Sequence, residues 1–266
     1  MDQNPSKAIT ANSTGLAAER LERIRDILRT RRIARVADLC RELSVSAATV
    51  RRDLEALESR GHVRRVHGGA MSAEGRMEEP LFDDKASIAA AEKQRIALAA
   101  LKHVGHQDSI FLDGGSTVLA LAPMLASMPH LTVVTNSLMV AGTLAGEGPR
   151  LILIGGELRR LSQTFVGSLT APLIEEIHVD IAFMGTMGAS VKHGLTTTDP
   201  REAHTKSLVM SRANQVILLA HADKIGKLSF VKFGTLADVD VLITDRAAPA
   251  GTVRAIRKNS VKVELV

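Results

Sequence analysis

ERLERIRDILRTRRIARVADLCRELSVSAATVRRDLEALESRGHVRRVHGGAM, residues Glu19 to Met71, holds three apolar stripes at helical spacing and then a basic, glycine-rich run. Leu21, Ile24, Ile27 and Leu28 recur as on the buried face of one amphipathic helix. Val36, Leu39, Cys40 and Leu43 repeat the pattern on a shorter one. Ser44-Val45-Ser46 breaks it, and the Ser46 hydroxyl is suited to accept a backbone N–H from the next first turn. Val50, Leu54 and Leu57 then mark a third helix, with Gly61 placed for a left-handed C-cap. Two helices joined by a tight turn, the second opening on small and basic residues, form the helix-turn-helix pattern.

The exposed start of the third helix is Ser46, Ala47, Ala48, Thr49, Arg51 and Arg52. Small side chains let such a helix sit deep in a major groove. A hydroxyl can meet a thymine methyl or a phosphate, and an arginine fork can reach guanine O6/N7 or a phosphate. The run HVRRVHGGA reads as a β-hairpin, or wing, offering Arg64, Arg65 and His67 to the backbone or minor groove. Surface arginines more often only solvate a helix face. Charge weighs against that here: residues 1–72 carry 14 Lys+Arg against 9 Asp+Glu, and residues 73–266 carry 20 against 20. The net charge of +5 therefore lies in the first domain, as an electrostatic footprint for phosphates should.

The run LSVSAATVRRDLEALESRGHVRRVHGGAM resembles the DNA-binding domain of the DeoR family of bacterial transcriptional regulators. The expected layout is a disordered tail at 1–15, a winged helix-turn-helix domain at 16–72, a linker at 73–84 and an α/β effector-sensing domain at 85–266. The linker reading rests on SAEGRMEEP, which is small, charged and proline-ended. The first 15 residues are polar and resemble no signal peptide, and no apolar run approaches bilayer length. A single cysteine, Cys40, fits a reducing compartment, so a cytoplasmic location with no membrane partner is expected. The absence of Trp and Tyr leaves few residues to stack on single-stranded bases.

From Asp108 the texture changes. SIFLDGG, LTVVTNS, LILIGGEL, DIAFMGT, QVILLAHAD and VDVLITD read as buried strands, mostly ending in Gly, Asp, Asn or Ser. The segments between them, such as 118–126 and 202–213, read as helices, after an earlier one at 85–103. Such alternation implies an α/β domain with a largely parallel sheet, where ligands bind at the C-terminal strand ends. Asp113-Gly114-Gly115-Ser116-Thr117 opens a helix after the first strand, with glycines for close approach and hydroxyls suited to an anion. Thr135-Asn136-Ser137 repeats this after the second strand, although one such residue alone is more often a turn former or cap. Glu202 and Lys206 lie four apart and share a helix face. They read either as a surface ion pair, worth a few tenths of a kcal/mol, or as a ligand pair. In the ligand reading Glu202 takes sugar hydroxyls and Lys206 a phosphate. Lys224 offers a second cation.

This half resembles the DeoR-type effector domain through DGGST, VVTNSL, GGELRR, VGSL, DIAFMGT to GLTTTD, EAHTK and VDVLITD. The resemblance implies a fold similar to ribose-5-phosphate isomerase and a phosphorylated sugar or related metabolite as effector. It gives ligand roles to Asp113, Gly115, Ser116, Thr117, Thr135, Asn136, Glu202, Lys206 and Lys224. Gly114 and Ser137 join them from the loops they complete. One departure stands out: where the family carries Asp-Ser-Ser-Lys-Phe-Gly, this chain has HADKIG, His221 to Gly226. Lys224 and Gly226 are kept, the acid moves and His221 enters.

The expected whole is a transcription regulator of the repressor type, binding double-stranded operator DNA as a homo-oligomer. The competing expectation is a sugar-phosphate isomerase with a DNA-binding appendage, its acid/base set drawn from Asp113, Glu202 and Lys206. No cofactor and no metal are expected: there is no G-x-G-x-x-G run, no P-loop and no ligand spacing among the nine histidines.

Overall fold

Apolar spacing sets the helices of the N-terminal part. The computed structural model describes residues 19–28, 33–59, 62–66, 68–72, 82, 85, 88–146 and 148–266. The chain forms two compact units, 1–77 and 78–266. The expected tail at 1–15, Gly61, His67 and most of the linker at 73–84 lie outside the described residues, as does the side chain of Arg64.

In the first unit, residues 19–28 are helical, followed by β1 (Ile33–Arg35), a helix at Val36–Leu43, a helix at Ala47–Ser59, β2 (Val63–Val66) and β3 (Gly69–Ser72). Ile24, Leu28, Leu39, Val50, Leu54 and Leu57 meet in one core with Val63 and Ala70. Ser44 adopts a left-handed conformation, φ 53°, and ends the shorter helix. Ser46 Oγ accepts from the Thr49 N–H at 3.2 Å, so the expected cap is in place.

β2 and β3 form the expected hairpin. β1, which the sequence reading lacked, pairs on the other edge of β3 and gives the order β1-β3-β2. A Cβ at Gly69 would lie 2.3 Å from the Ala34 carbonyl oxygen, so glycine is what lets β1 close on the wing.

The second unit contains β4 (Ser109–Leu112), β5 (Thr132–Thr135), β6 (Arg150–Leu153), β7 (Glu157–Arg159), β8 (Thr164–Val166), β9 (Val179–Met184), β10 (Gly188–Ser190), β11 (Gly194–Thr197), β12 (Ala213–Leu219), β13 (Val231–Gly234), β14 (Val241–Thr244) and β15 (Lys262–Leu265). Seven of them make one sheet, ordered β15-β14-β12-β9-β4-β5-β6, and every pairing in it is parallel. Ile110 and Leu112 pack into one core with Ile96, Val118 and Val140, while Phe111 packs into the other with Ile174, Val209 and Ile256. Burial on both faces is why these strands read as continuous apolar runs.

The helix expected at 118–126 is two short turns, Ser116–Leu119 and Ala122–Leu125, and the one expected at 202–213 is Pro200–Met210. Pro200 and the Asp199 cap start the latter earlier than its apolar pattern does. Sequence order reverses between β4 and β9: β5 and β6 extend one way, β12, β14 and β15 the other. Such a switch point opens a crevice at the C-terminal strand ends.

One buried charge ties the first unit together. Asp53, on the core side of the helix Ala47–Ser59, takes both prongs of the Arg20 guanidinium, at 2.5 and 3.0 Å. Hydrogen bonding to Asp53 raises the Arg20 pKa. A fork of this kind is stronger than an exposed pair, so Asp53→Ala should destabilise the first unit by about 1.5–3 kcal/mol. Urea unfolding of the full chain, followed by a probe in that unit, checks the value.

Candidate nucleic-acid interface and effector site

At the helix Ala47–Ser59, the buried side is Val50, Asp53, Leu54 and Leu57. Ser46, Ala47, Ala48, Arg51 and Arg52 are exposed, and Thr49 is half-buried with its hydroxyl 2.9 Å from Ser46 Oγ. Neither Arg51 nor Arg52 makes an ion pair with a described residue. Arg65 differs. Its guanidinium pairs with Glu55 at 2.8 Å and its N–H donates to Glu58 at 2.9 Å, so it braces the wing against the helix. This ridge therefore presents small residues and two guanidinium groups that pair with no carboxylate among the described residues, with Arg65 holding the wing.

In the second unit, Asp113 ends β4 at the switch point. Its Oδ2 accepts the Gly185 N–H at 2.8 Å, just beyond β9, and the Lys206 ammonium. Lys206 Nζ also donates to the Gly185 carbonyl at 3.2 Å, lies 3.6 Å from Glu202 Oε1 and sits 5.5 Å from the centre of the Phe233 ring. Asp113, Glu202 and Lys206 are only 2%, 6% and 3% exposed, so the surface-pair expectation is overturned. The Lys206 ammonium faces two carboxylates, Asp113 and Glu202.

The hairpin β7–β8 lies across the ends of β4 and β5. A Cβ on Gly114 would fall 1.9 Å from Thr164 Cγ2, so β8 rests on that glycine. The neighbouring Gly115 has φ +129°, a conformation side chains disfavour. The Phe165 N–H donates to the Asn136 carbonyl and Asn136 Nδ2 to the Phe165 carbonyl. Asn136 Oδ1 and Thr197 Oγ1 are buried and accept no hydrogen bond. Thr135 Oγ1 donates to the Leu112 carbonyl and accepts the Ser137 N–H, while Ser137 caps the helix Leu138–Leu144. Both hydroxyls are fully buried, and their hydrogen bonds shape the strand end. Ser116 is half-buried at the start of its turn, and Thr117 is buried beside it.

Positive charge gathers at another part of the rim. Lys93 is 3% exposed and its ammonium donates to the Lys85 carbonyl. Burial, then the nearby Lys224 and Lys85 ammoniums, push its pKa down to about 8. Lys224 Nζ stands 3.9 Å from Met187 Sδ, beyond the end of β9. Burial first, and then Lys224 and Lys93, lower the His221 pKa against the pull of Asp223 and Asp245, which favours a neutral imidazole. The sequence reading missed Lys93. Its signal was spacing: it shares a helical stripe with the buried Ile96, Ala97 and Ala100, where a lysine has no packing reason to be. Arg159, Asp199 and Thr197 were also missed, because their chemistry comes from segments far apart in sequence.

Two tests follow from burial. Lys206→Met leaves Asp113 without its cation and Glu202 with Arg159 alone, and should destabilise the second unit by about 3–5 kcal/mol in chemical denaturation. Lys93 should make stability depend on pH. With its folded pKa near 8 and its ordinary value 10.5, the unfolded chain binds more protons between those limits. Its contribution is therefore present above 10.5 and lost as pH falls through about 8. In Lys93→Met the rise in melting temperature across that window should shrink.

Two family models match the chain: a DeoR-like helix-turn-helix domain over residues 20–76 and a DeoR C terminal sensor domain over 88–246. The chain is 34% identical over 248 residues to the HTH-type transcriptional regulator GlpR of Haloferax volcanii, covering 93% of this chain and 97% of the relative. It is 32% identical over 229 residues to the glycerol-3-phosphate regulon repressor of Escherichia coli, covering 86% and 90%. Among solved structures it matches ribose 5-phosphate isomerase A of Methanocaldococcus jannaschii at 20% identity and a TM-score of 0.37, over 50% of this chain and 52% of that one. The relatives are regulators rather than enzymes, and the isomerase reading gives way to that kinship. With both of its domains matched, this chain belongs to the DeoR family of helix-turn-helix transcriptional regulators.

Proposed function

We propose that the chain is a cytoplasmic repressor whose grip on operator DNA is set by a small phosphorylated sugar or polyol. The observation that carries this is the polarity of the strand ends: ammonium groups of Lys93 and Lys224 interact at one part, and the carboxylates of Asp113 and Glu202 flank Lys206 at another. A phosphate suits the first, with Ser116 and Thr117 on the Gly114–Gly115 loop beside it. A hydroxylated body suits the second. Its O–H groups find acceptors in Glu202 and in Asn136 Oδ1, whose lack of a partner in the ligand-free chain costs about 1–3 kcal/mol. The E. coli relative's name couples repression to a compound of this class.

On the DNA side, Ser46, Ala47, Ala48 and Thr49 lie against the groove, Arg51 and Arg52 read bases or phosphates, and Arg64, Arg65 and His67 serve the wing. One recognition helix reads few base pairs, so the working form is a homo-oligomer on paired half-sites. Residues 16–72 serve as the DNA-binding domain, 73–84 as linker and 85–266 as sensor. The effector acts by binding one arrangement of the oligomer better than the other.

Two mutations test this. Arg51→Ala or Arg52→Ala should cost about 1–3 kcal/mol of operator affinity if the side chain reads a base, with specificity relaxed at one position. Gel shifts unchanged in both variants would displace the recognition helix from the ridge described. Ser116→Glu should leave operator binding intact and abolish release by the inducing sugar phosphate. A retained response would place the phosphate elsewhere.

A further inference from the structure

Arg159 belongs to the hairpin β7–β8, outside the central sheet, yet its side chain is only 10% exposed. Its Nη1 lies 3.3 Å from Glu202 Oε2, its Nε 3.4 Å from Asp199 Oδ2, and its Nη2 donates to Thr198 Oγ1 at 3.2 Å. Glu202 thus faces a cation at each oxygen: Arg159 at Oε2 and, 3.6 Å from Oε1, Lys206. Asp113, Lys206, Glu202, Arg159 and Asp199 form an alternating chain of charges from the end of β4 to the hairpin. Asp199 is ionised throughout. Burial opposes its charge, but hydrogen bonds from the Arg201 guanidinium and from the Arg201 and Glu202 N–H groups outweigh it and hold its pKa down at about 2.

We propose that Arg159 is a positioning residue of the effector site: from the hairpin it fixes Glu202, and through Glu202 the Lys206 ammonium. This rests on the effector reading above. A carboxylate with a cation at ion-pair distance from each oxygen is oriented by charge, and that orientation presents it to ligand hydroxyls. Without Arg159, Glu202 and Asp199 lose their shared cation, and Glu202 is free to turn further onto Lys206. The hydroxyl-recognising part of the site is then lost, while the Lys93 and Lys224 part stays. Coupling is reciprocal, so a ligand that engages Glu202 also strengthens the docking of the hairpin.

The experiment compares full-length wild type, Arg159→Met and Arg159→Lys by calorimetry with glycerol 3-phosphate, ribose 5-phosphate and inorganic phosphate. Hydrogen exchange of residues 157–166 is followed in parallel, and operator gel shifts serve as the folding control. Arg159→Met should bind the phosphorylated polyols at least tenfold more weakly and inorganic phosphate within twofold of wild type. Arg159→Lys should recover part of the loss. A bound polyol phosphate should slow exchange in the hairpin of wild type and not of Arg159→Met. Equal loss of all three ligands, or unchanged binding of all three, would overturn the positioning role. Failure of the wild type to bind any of the probes would instead overturn the effector reading, and the role of Arg159 with it.

Discussion

The burial of Lys206 between Asp113 and Glu202 is the constraint on which the sensor unit depends. An ammonium in the interior is tolerable only with counter-charges and carbonyls around it. Those partners come from the end of β4, the turn after β9 and the helix Pro200–Met210. Three segments distant in sequence are therefore pinned to one point, and that point is where strand order reverses.

The same constraint explains the local chemistry. Asp113 is fixed in place, since the Gly185 N–H and the Lys206 ammonium both hold its Oδ2. Glu202 is held from the hairpin as well as from Lys206. Burial and the nearby Lys224 and Lys85 ammoniums lower the Lys93 pKa, so positive charge gathers at a second part of the rim. Fixed carboxylates at one part and mutually repelling ammoniums at another give the strand ends two parts of opposite polarity.

The DNA-binding unit follows a simpler logic. Its core is small, so single polar contacts carry weight: Ser46 caps the recognition helix, Asp53 locks it to Arg20, and Glu55 and Glu58 hold the wing through Arg65. Arg51 and Arg52 are left outside this bracing. The helix is thus fixed by its caps and ion pairs, while Arg51 and Arg52 stand exposed on its outer face.

Much of this was legible in the sequence. Period-3.6 stripes located the helices around Leu28, Leu39 and Leu54, and apolar runs ending in Gly, Asp or Asn located the six strands β4, β5, β6, β9, β12 and β14, since both signals are local. The basic bias of residues 1–72 identified the DNA-facing part before any geometry. β1, β7, β8, β10, β11, β13 and β15 were not legible: none carries the continuous apolar run of a strand buried on both faces, and β1 forms because Gly69 lets it close on β3. For the site, sequence supplied Asp113, Glu202, Lys206 and Lys224 but not their states. A spacing of four residues says that Glu202 and Lys206 share a face. Only the fold buries that face, brings Asp113 from 93 residues away onto Lys206, and sets Arg159 against Glu202. Burial and long-range pairing are properties of packing, and no local pattern in a chain encodes which distant charge will arrive.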